Sequence, residues 1–362
     1  MLFDEQRNSF YARAIRKNVT RDSVVLDLGS GFGIHGFIAA AAGARHVYLV
    51  DPAIDAEIIR RIAKLNNLSD RITVIHKKIE ETELPESVDV IISVFTGNFL
   101  YEEDLLPSLF YARDKYLKTD GKLLPTMARQ EAVPITCEKY YDEIISSWSN
   151  PSQDIHFETL REFAANNLFP DYFDAIDHQF LAEVASISEI DLSKASDANC
   201  QSSVEFRFTH DGKFHGILGW FQMKLDGDWL STSPLATKTH WRQVLLPLDP
   251  ALDVHAGETM TFSLSRPEYG VWSWTVHYQD TTQKHSTFLA RPLSPEKLSK
   301  KSGSYTAKLA DKGEATLFVL GKLNGNLATD ELAVLTKNQY PSVFPDIEAA
   351  RRFIIELIDQ YC

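Results

Sequence analysis

The residues best suited to chemistry are Asp27-Leu28-Gly29-Ser30-Gly31-Phe32-Gly33, at the tip of the apolar run Val24–Leu28, with Asp51 closing the next such run. Glycines there let the backbone approach a ligand and take positive φ, and a following helix offers an electropositive N-terminus. Asp51, 24 positions after Asp27, is placed to accept both hydroxyls of a ribose. Gly31, Gly33 and Gly36 also satisfy the G-x-G-x-x-G spacing of dinucleotide sites, so two ligand classes compete for the loop. Asp27 weighs on that competition. A carboxylate two residues before the first glycine repels a pyrophosphate in a dry site and suits a cationic amino-acid tail or a sulfonium. S-adenosylmethionine is the favoured ligand, a dinucleotide the second reading and a purely structural turn the third.

Positioning such a loop takes a parallel sheet, and residues 1–125 supply one. An opening helix precedes the strand Val24–Leu28, a helix Ile34–Ala42, a strand Val47–Val50 and a helix Ile54–Leu65. Strands at Ile72–Ile75 and Val88–Val94 and a helix at Leu105–Leu117 follow. Strands alternating with helices predict an α/β, Rossmann-like domain. From 126 to 295 the texture becomes antiparallel β: Val204–Phe208, Thr261–Leu264 and Trp272–Val276 alternate, with turn signals at Asp211-Gly212, Asp226-Gly227 and Ala256-Gly257. Residues 140–183 interrupt it with a polar-aromatic, mostly helical pattern resembling a projecting arm. After a linker around Ser294–Gly303, residues 303–362 predict a small α/β unit closing on the helix Ile347–Tyr361.

Composition narrows the function. The 362 residues carry 37 Lys and Arg against 50 Asp and Glu, a formal charge of −13. An acidic surface disfavours a nucleic-acid partner and suits a basic peptide. No apolar run reaches membrane-spanning length, and the first residues lack a secretory h-region. Cys137, Cys200 and Cys362 are too scattered for a disulfide framework, and the histidines lack ligand spacing, so no metal is expected. The expected setting is the reducing cytoplasm.

Several spaced runs now acquire a common meaning. Met1–Arg7, Val24–Gly33, Ile79-Glu80-Glu81 with Leu84-Pro85, Tyr111–Leu117 and Thr239-His240-Trp241 occur in register. Over about residues 1–290 the chain resembles the protein arginine methyltransferases. That resemblance implies an S-adenosylmethionine cofactor held by Arg7, Asp27, Gly29, Gly31, Gly33, Asp51, Ile79 and Glu80. Arg7 would take the carboxylate of the cofactor's methionine tail, Asp51 the ribose, and Glu80 the adenine amino group beside Ile79. His240 is expected to pair with Asp4 and to act late in proton transfer or simply to tie two domains. Trp241 would wall the acceptor site. On its own composition, Glu80 sits in an acidic run that is usually a wet face.

The family grips its guanidinium with two glutamates. Counting back from Tyr111, the second falls on Glu103 and the first on Val94. Glu103 and His240 are therefore the expected catalytic residues, with Val94, Glu103 and Trp241 lining the substrate site. A guanidinium is a poor nucleophile, so two carboxylates would orient it and polarise it toward one nitrogen. Valine leaves N–H donors facing an apolar wall. Three readings follow: Glu102 or Asp104 substitutes, the acceptor is another peptide side chain such as histidine, or the chain is a catalytically silent scaffold. A lid helix ahead of the Met-Leu segment is another family feature not matched in this sequence.

The arm, with Trp148, Phe157, Leu160, Phe163 and Phe169, predicts a homodimer, the resemblance supplying the head-to-tail geometry. The run Gly313–Asn326 with Thr329–Ala333 is similar to PqqD-like winged helices, which implies a sheet edge for peptide recognition. A structural cap is the simpler reading of that unit. The expected partner is a peptide or protein substrate, with arginine as the leading acceptor.

Overall fold

The β-branched runs become the strands of a five-stranded parallel sheet. The computed structural model describes residues 1–53 and 55–362. In it α1 (Glu5–Asn18) leads to β1 (Val24–Leu28), α2 (Ile34–Ala41), β2 (His46–Val50), α3 (Ala56–Leu65) and β3 (Ile72–Ile75). Then come β4 (Val88–Ser93), α4 (Leu106–Tyr116) and β5 (Leu117–Leu124). The sheet order is β3-β2-β1-β4-β5, and each adjacent pair is parallel. Every residue of β1 is buried, as a central strand covered on both faces requires. Chain order reverses between β1 and β4, so their carboxyl ends open the crevice where such sheets bind ligands. The helix expected from Ile54 begins at Ala56, where Asp55 caps it by accepting the Glu57 N–H at 2.7 Å. Ile54 itself lies outside the described residues.

The antiparallel region holds β6 (Met127–Thr136), α5 (Glu138–Ile144), α6 (Arg161–Ala165), β7 (Phe169–Asp171), β8 (Gln179–Phe180), β9 (Ala185–Asp191) and β10 (Cys200–Arg207). It continues with β11 (Gly212–Leu225), β12 (Asp228–Ser231), β13 (Gln243–Val254), β14 (Thr259–Arg266), β15 (Ser273–Tyr278) and β16 (Thr281–Ser286). One sheet runs β7-β13-β11-β6-β8 with β12 and β9 paired to it, and the other runs β10-β14-β15-β16. Along β14 every second residue is buried, the period of a strand with one face on a core. The arm is less helical than its pattern predicts. Asn150-Pro151 and Phe169-Pro170 disfavour helix, and β7 and β8 are instead hydrogen-bonded into the large sheet.

One hydrophobic core runs from the parallel sheet into the antiparallel ones. Phe99 stacks on Trp272 at 5.2 Å between centroids. The Tyr11 hydroxyl donates to the Ser93 carbonyl at 2.9 Å and touches Met223 Sδ at 3.2 Å. Arg113, from the Tyr111–Leu117 run, donates from Nη1 to the Leu192 carbonyl at 2.7 Å, tying α4 to the β region.

The chain divides into two compact units, Met1–Pro292 and Leu293–Cys362. The second contains α7 (Pro295–Ser299), α8 (Asp311–Leu320), α9 (Thr329–Gln339) and α10 (Ile347–Tyr361), and no strand. The expected α/β winged helix with a peptide-binding sheet edge is therefore corrected to a small helical unit. Its apolar residues follow a helical spacing: Ala315 and Val319, Ala350 and Ile354, Phe353 and Leu357 are buried four apart. Asn324-Gly325 lies in the turn between α8 and α9. At the start of α9 the Glu331 carboxylate accepts the Ala328 N–H at 3.0 Å.

Gly219 on β11 gives a direct test of the joint between the two sheet systems. A Cβ there would lie 2.4 Å from Phe99 Cε2 and 2.6 Å from Cζ. Gly219→Ala is expected to lower stability by about 1–3 kcal/mol, read as a drop in thermal midpoint. An unchanged midpoint would mean that the Phe99 ring has room to move.

Candidate active site

The glycine loop caps the carboxyl ends of β1 and β2. Gly29, Gly31 and Gly33 have φ of 67°, 52° and 79°, conformations that side chains resist. The Gly29 N–H donates to the Val50 carbonyl at 2.9 Å. A Cβ on Gly29 or Gly31 would meet nothing within 4 Å, so both border open space. Gly36 is different, because its Cβ would fall 2.2 Å from Leu49 Cδ2. It serves the packing of α2 on β2.

Asp27 is buried, and its Oδ2 accepts the Gly36 N–H at 2.7 Å. Burial pushes its pKa up to about 7; Asp51 adds to the rise, while the Gly36 hydrogen bond and Arg7 oppose it. Arg7 is 3% exposed. Its guanidinium donates only to neutral oxygens among the described residues: the Met1 carbonyl at 2.8 Å and Asn8 Oδ1 at 2.9 and 3.2 Å. His35 stacks on Tyr11 at 4.4 Å. Burial and then the Arg7 charge depress its pKa to about 3, keeping it neutral. His35 Nε2 and Ser30 Oγ are buried without a hydrogen-bond partner. A buried cation lacking an anion, a buried carboxylate and two unsatisfied polar atoms fit a zwitterionic amino-acid tail.

Beyond the loop lies a cavity of about 560 Å³, lined among others by Gly29, Val50, Ile79, Glu80, Ser93 and Val94. Asp51, between the lining residues Val50 and Pro52, accepts the Gly31 N–H at 2.9 Å and the Ala53 N–H at 2.8 Å. Glu80 accepts the Ser108 hydroxyl at 2.5 Å.

The loop from Val94 to Asp104 is clamped from the β region. Trp241 Nε1 donates to the Thr96 carbonyl at 3.0 Å, and the Arg242 N–H donates to Asn98 Oδ1 at 2.8 Å. Gln130 on β6 donates to the Phe99 carbonyl at 3.1 Å. His240 meets Asp4 through its ring Nδ1 at 2.7 Å and its backbone N–H at 2.8 Å. Burial alone would raise the Asp4 carboxyl, but the hydrogen bonds from the His240 ring and from the Arg7 and His240 N–H groups hold it at about 2.

Three adjacent carboxylates in this loop have different environments. Glu102 Oε2 accepts the Asn98 N–H at 2.7 Å. Asp104 pairs with Arg266 Nη2 at 2.6 Å and accepts the Tyr269 N–H at 2.9 Å. Glu103 alone of the three has no partner among the described residues. Partial burial and repulsion from Glu102 raise its pKa. Glu103 is not part of the cavity wall, whereas Val94, Phe95, Asp104 and Leu105 are. Among the described residues no cluster could hold a metal ion, and no helix is long and apolar enough to cross a membrane.

This geometry agrees with comparisons to known proteins. Residues 25–121 match a model described as a methyltransferase domain, and residues 128–278 one described as the arginine methyltransferase oligomerization subdomain. The chain is 33% identical over 277 residues to protein arginine N-methyltransferase 1 of Oryza sativa subsp. indica, covering 73% of this chain and 70% of that protein. The chain belongs to the protein arginine methyltransferase family. It is also 35% identical to the histone-arginine methyltransferase CARMER of Drosophila yakuba over 72% of this chain, though it spans only 52% of that longer relative. Among solved structures it is similar to the Trypanosoma brucei PRMT1 enzyme–prozyme heterotetrameric complex with AdoHcy. That match has a TM-score of 0.71 and 30% identity, covering 79% of this chain and 96% of that one.

Within this methyltransferase family architecture, sequence reasoning missed His35, Tyr11, Asn98 and the Asp104–Arg266 pair. Their roles depend on contacts between residues far apart in the chain, such as Tyr11 with Ser93 and Asp104 with Arg266. No local pattern announces them.

Asp27 should act as a stability liability. Its folded pKa of about 7 exceeds the unfolded value near 3.8. The folded protein therefore binds more protons between those values, and stability falls as pH rises from about 4 to 7. Asp27→Asn, which still offers an oxygen to Gly36, is expected to raise the thermal midpoint at pH 8 and to leave it nearly unchanged at pH 4. A loss of stability at pH 8 would contradict this.

Proposed function

We propose that this protein is an S-adenosylmethionine-dependent N-methyltransferase that modifies the arginine guanidinium of a peptide or protein. The observation that carries the reading is the buried, anion-free Arg7 set beside the glycine loop and the buried Asp27. Arg7 takes the tail carboxylate, Asp27 the tail ammonium, Asp51 the ribose hydroxyls, and Glu80 with the Ile79 backbone the adenine edge. When bound, the cofactor supplies an electrophilic methyl carbon on a sulfonium. The protein's own work is orientation and charge.

Glu103 receives the guanidinium. Its raised pKa reflects an unsatisfied carboxylate, which an arriving cation relieves. Trp241 fixes the loop through Thr96 and walls the acceptor side, while Val94 shapes the cavity where the family has a second carboxylate. His240, paired with Asp4, joins the two sheet systems and can receive a proton after transfer. Residues 1–125 form the cofactor domain and residues 126–295 the substrate domain. The arm leaves Ile155 57%, Phe157 40% and Leu160 37% exposed, which supports a homodimer. Buried, unpaired Cys137 and Cys200 suit a cytoplasmic setting.

Val94 favours a second reading. Glu102 and Asp104 are engaged elsewhere, so neither replaces the missing carboxylate, and the chain would then serve as a silent subunit beside an active relative. Incubation with radiolabelled cofactor and an arginine-rich peptide panel separates the two. Labelled arginine is expected, with Glu103→Gln slowing transfer by about 10- to 150-fold and Val94→Glu accelerating it. Retained binding of S-adenosylhomocysteine with no labelling would rule out arginine transfer and leave the silent subunit or an acceptor other than arginine.

A further inference from the structure

Two large apolar side chains are left uncovered at one mouth of the cavity. Leu105, just before α4, is 40% exposed, and Tyr269, in the turn between β14 and β15, is 67% exposed. Both line the cavity together with Glu80 and Ser108. Tyr269 comes from the far sheet of the β region, yet it is not a loose surface residue.

The turn that carries it is held from several directions. Its backbone N–H donates to Asp104 Oδ1 at 2.9 Å, while Arg266 at the end of β14 grips Asp104 Oδ2 at 2.6 Å. Glu268 accepts the Ala198 N–H and donates its own N–H to Asn199, both at 3.0 Å. The Gly270 N–H closes on the Pro267 carbonyl at 2.8 Å. Asp104 and Tyr269 both have positive φ, 52° and 56°, a strained conformation for side-chain residues that persists where the surroundings enforce it. Desolvation, then repulsion from Glu268, Asp104 and Glu80, raises the phenol pKa, and Glu80 lines the same cavity as the ring.

We propose that Tyr269 is the aromatic cover of the cofactor's purine, with Leu105 on the opposite wall and Asp104 and Arg266 as positioning residues that hold the turn in place. The inference rests on the cofactor reading above. A flat ring between an apolar side chain and an aromatic face is stabilised by stacking, which alanine substitution removes at about 5- to 100-fold in affinity. The β14–β15 turn thereby acts as a fixed cover built from the substrate-side region, so a purine bound beneath it touches both sheet systems.

The test is calorimetric titration of S-adenosylhomocysteine and of adenosine into the full chain and into Tyr269→Ala and Tyr269→Phe. The ring is solvent-exposed, so neither variant disturbs the core. Tyr269→Ala should weaken both ligands by the same factor within that range, and Tyr269→Phe should stay within about twofold because it keeps the aromatic face. Binding unchanged in Tyr269→Ala would overturn the proposal, as would weakening confined to S-adenosylhomocysteine, which would put the ring over the amino-acid tail. Wild-type protein that binds neither ligand would instead refute the cofactor reading itself.

Discussion

A guanidinium and a carboxylate are buried at the same end of one crevice without forming a salt bridge. Arg7 is 3% and Asp27 2% exposed, and neither has an ion-pair partner among the described residues. Removing charges from water costs several kcal/mol each unless partners compensate. Asp27 partly avoids the cost by holding a proton up to about pH 7, but Arg7 has only neutral oxygens. The continuous core around β1, α1 and α2 must support this cost. What it gains is a preorganised place for a ligand carrying both charges, in which each ion of the ligand completes one of the protein.

The acceptor side follows the same logic in reverse. Here nearly every polar group is already committed: Thr96 to Trp241, Asn98 to Arg242 and Glu102, Asp104 to Arg266. The uncommitted carboxylate is Glu103, while Val94 lines the cavity. A loop so tightly fastened has little freedom to swing another acid into the valine's place.

Much of this was legible before any coordinates. Periodicity located β1, β2, β3 and β4 to within a residue or so, because strands buried on both faces leave little else for runs such as Val88–Ser93 to do. The spaced motifs led to the expectation that Arg7, Asp27, Asp51 and Glu80 serve one site; in the structure Glu80 lines the cavity, Asp51 accepts from the glycine loop, and Arg7 and Asp27 are buried. Other features stayed hidden for physical reasons. The C-terminal unit, expected to be α/β, is helical, with Ala315 and Val319 of α8 buried in one cluster with residues of α9 and α10, a choice made by tertiary contact. The arm's helical pattern was overridden by β7 and β8 pairing with distant strands. The engagement of Glu102 and Asp104 depends on Asn98 geometry and on Arg266, which lies 162 positions away in the chain.

If Asp27 takes the ammonium of a zwitterionic donor as proposed, the proton that it holds below about pH 7 leaves on binding. Titrating S-adenosylhomocysteine into the protein in buffers of different ionisation enthalpy counts that proton directly. The account predicts release of nearly one proton per ligand at pH 5.5, falling to none near pH 8.5, with affinity weakening as pH drops below about 7. PH-independent binding without proton release, or occupation of the crevice by a nicotinamide dinucleotide instead, would contradict it.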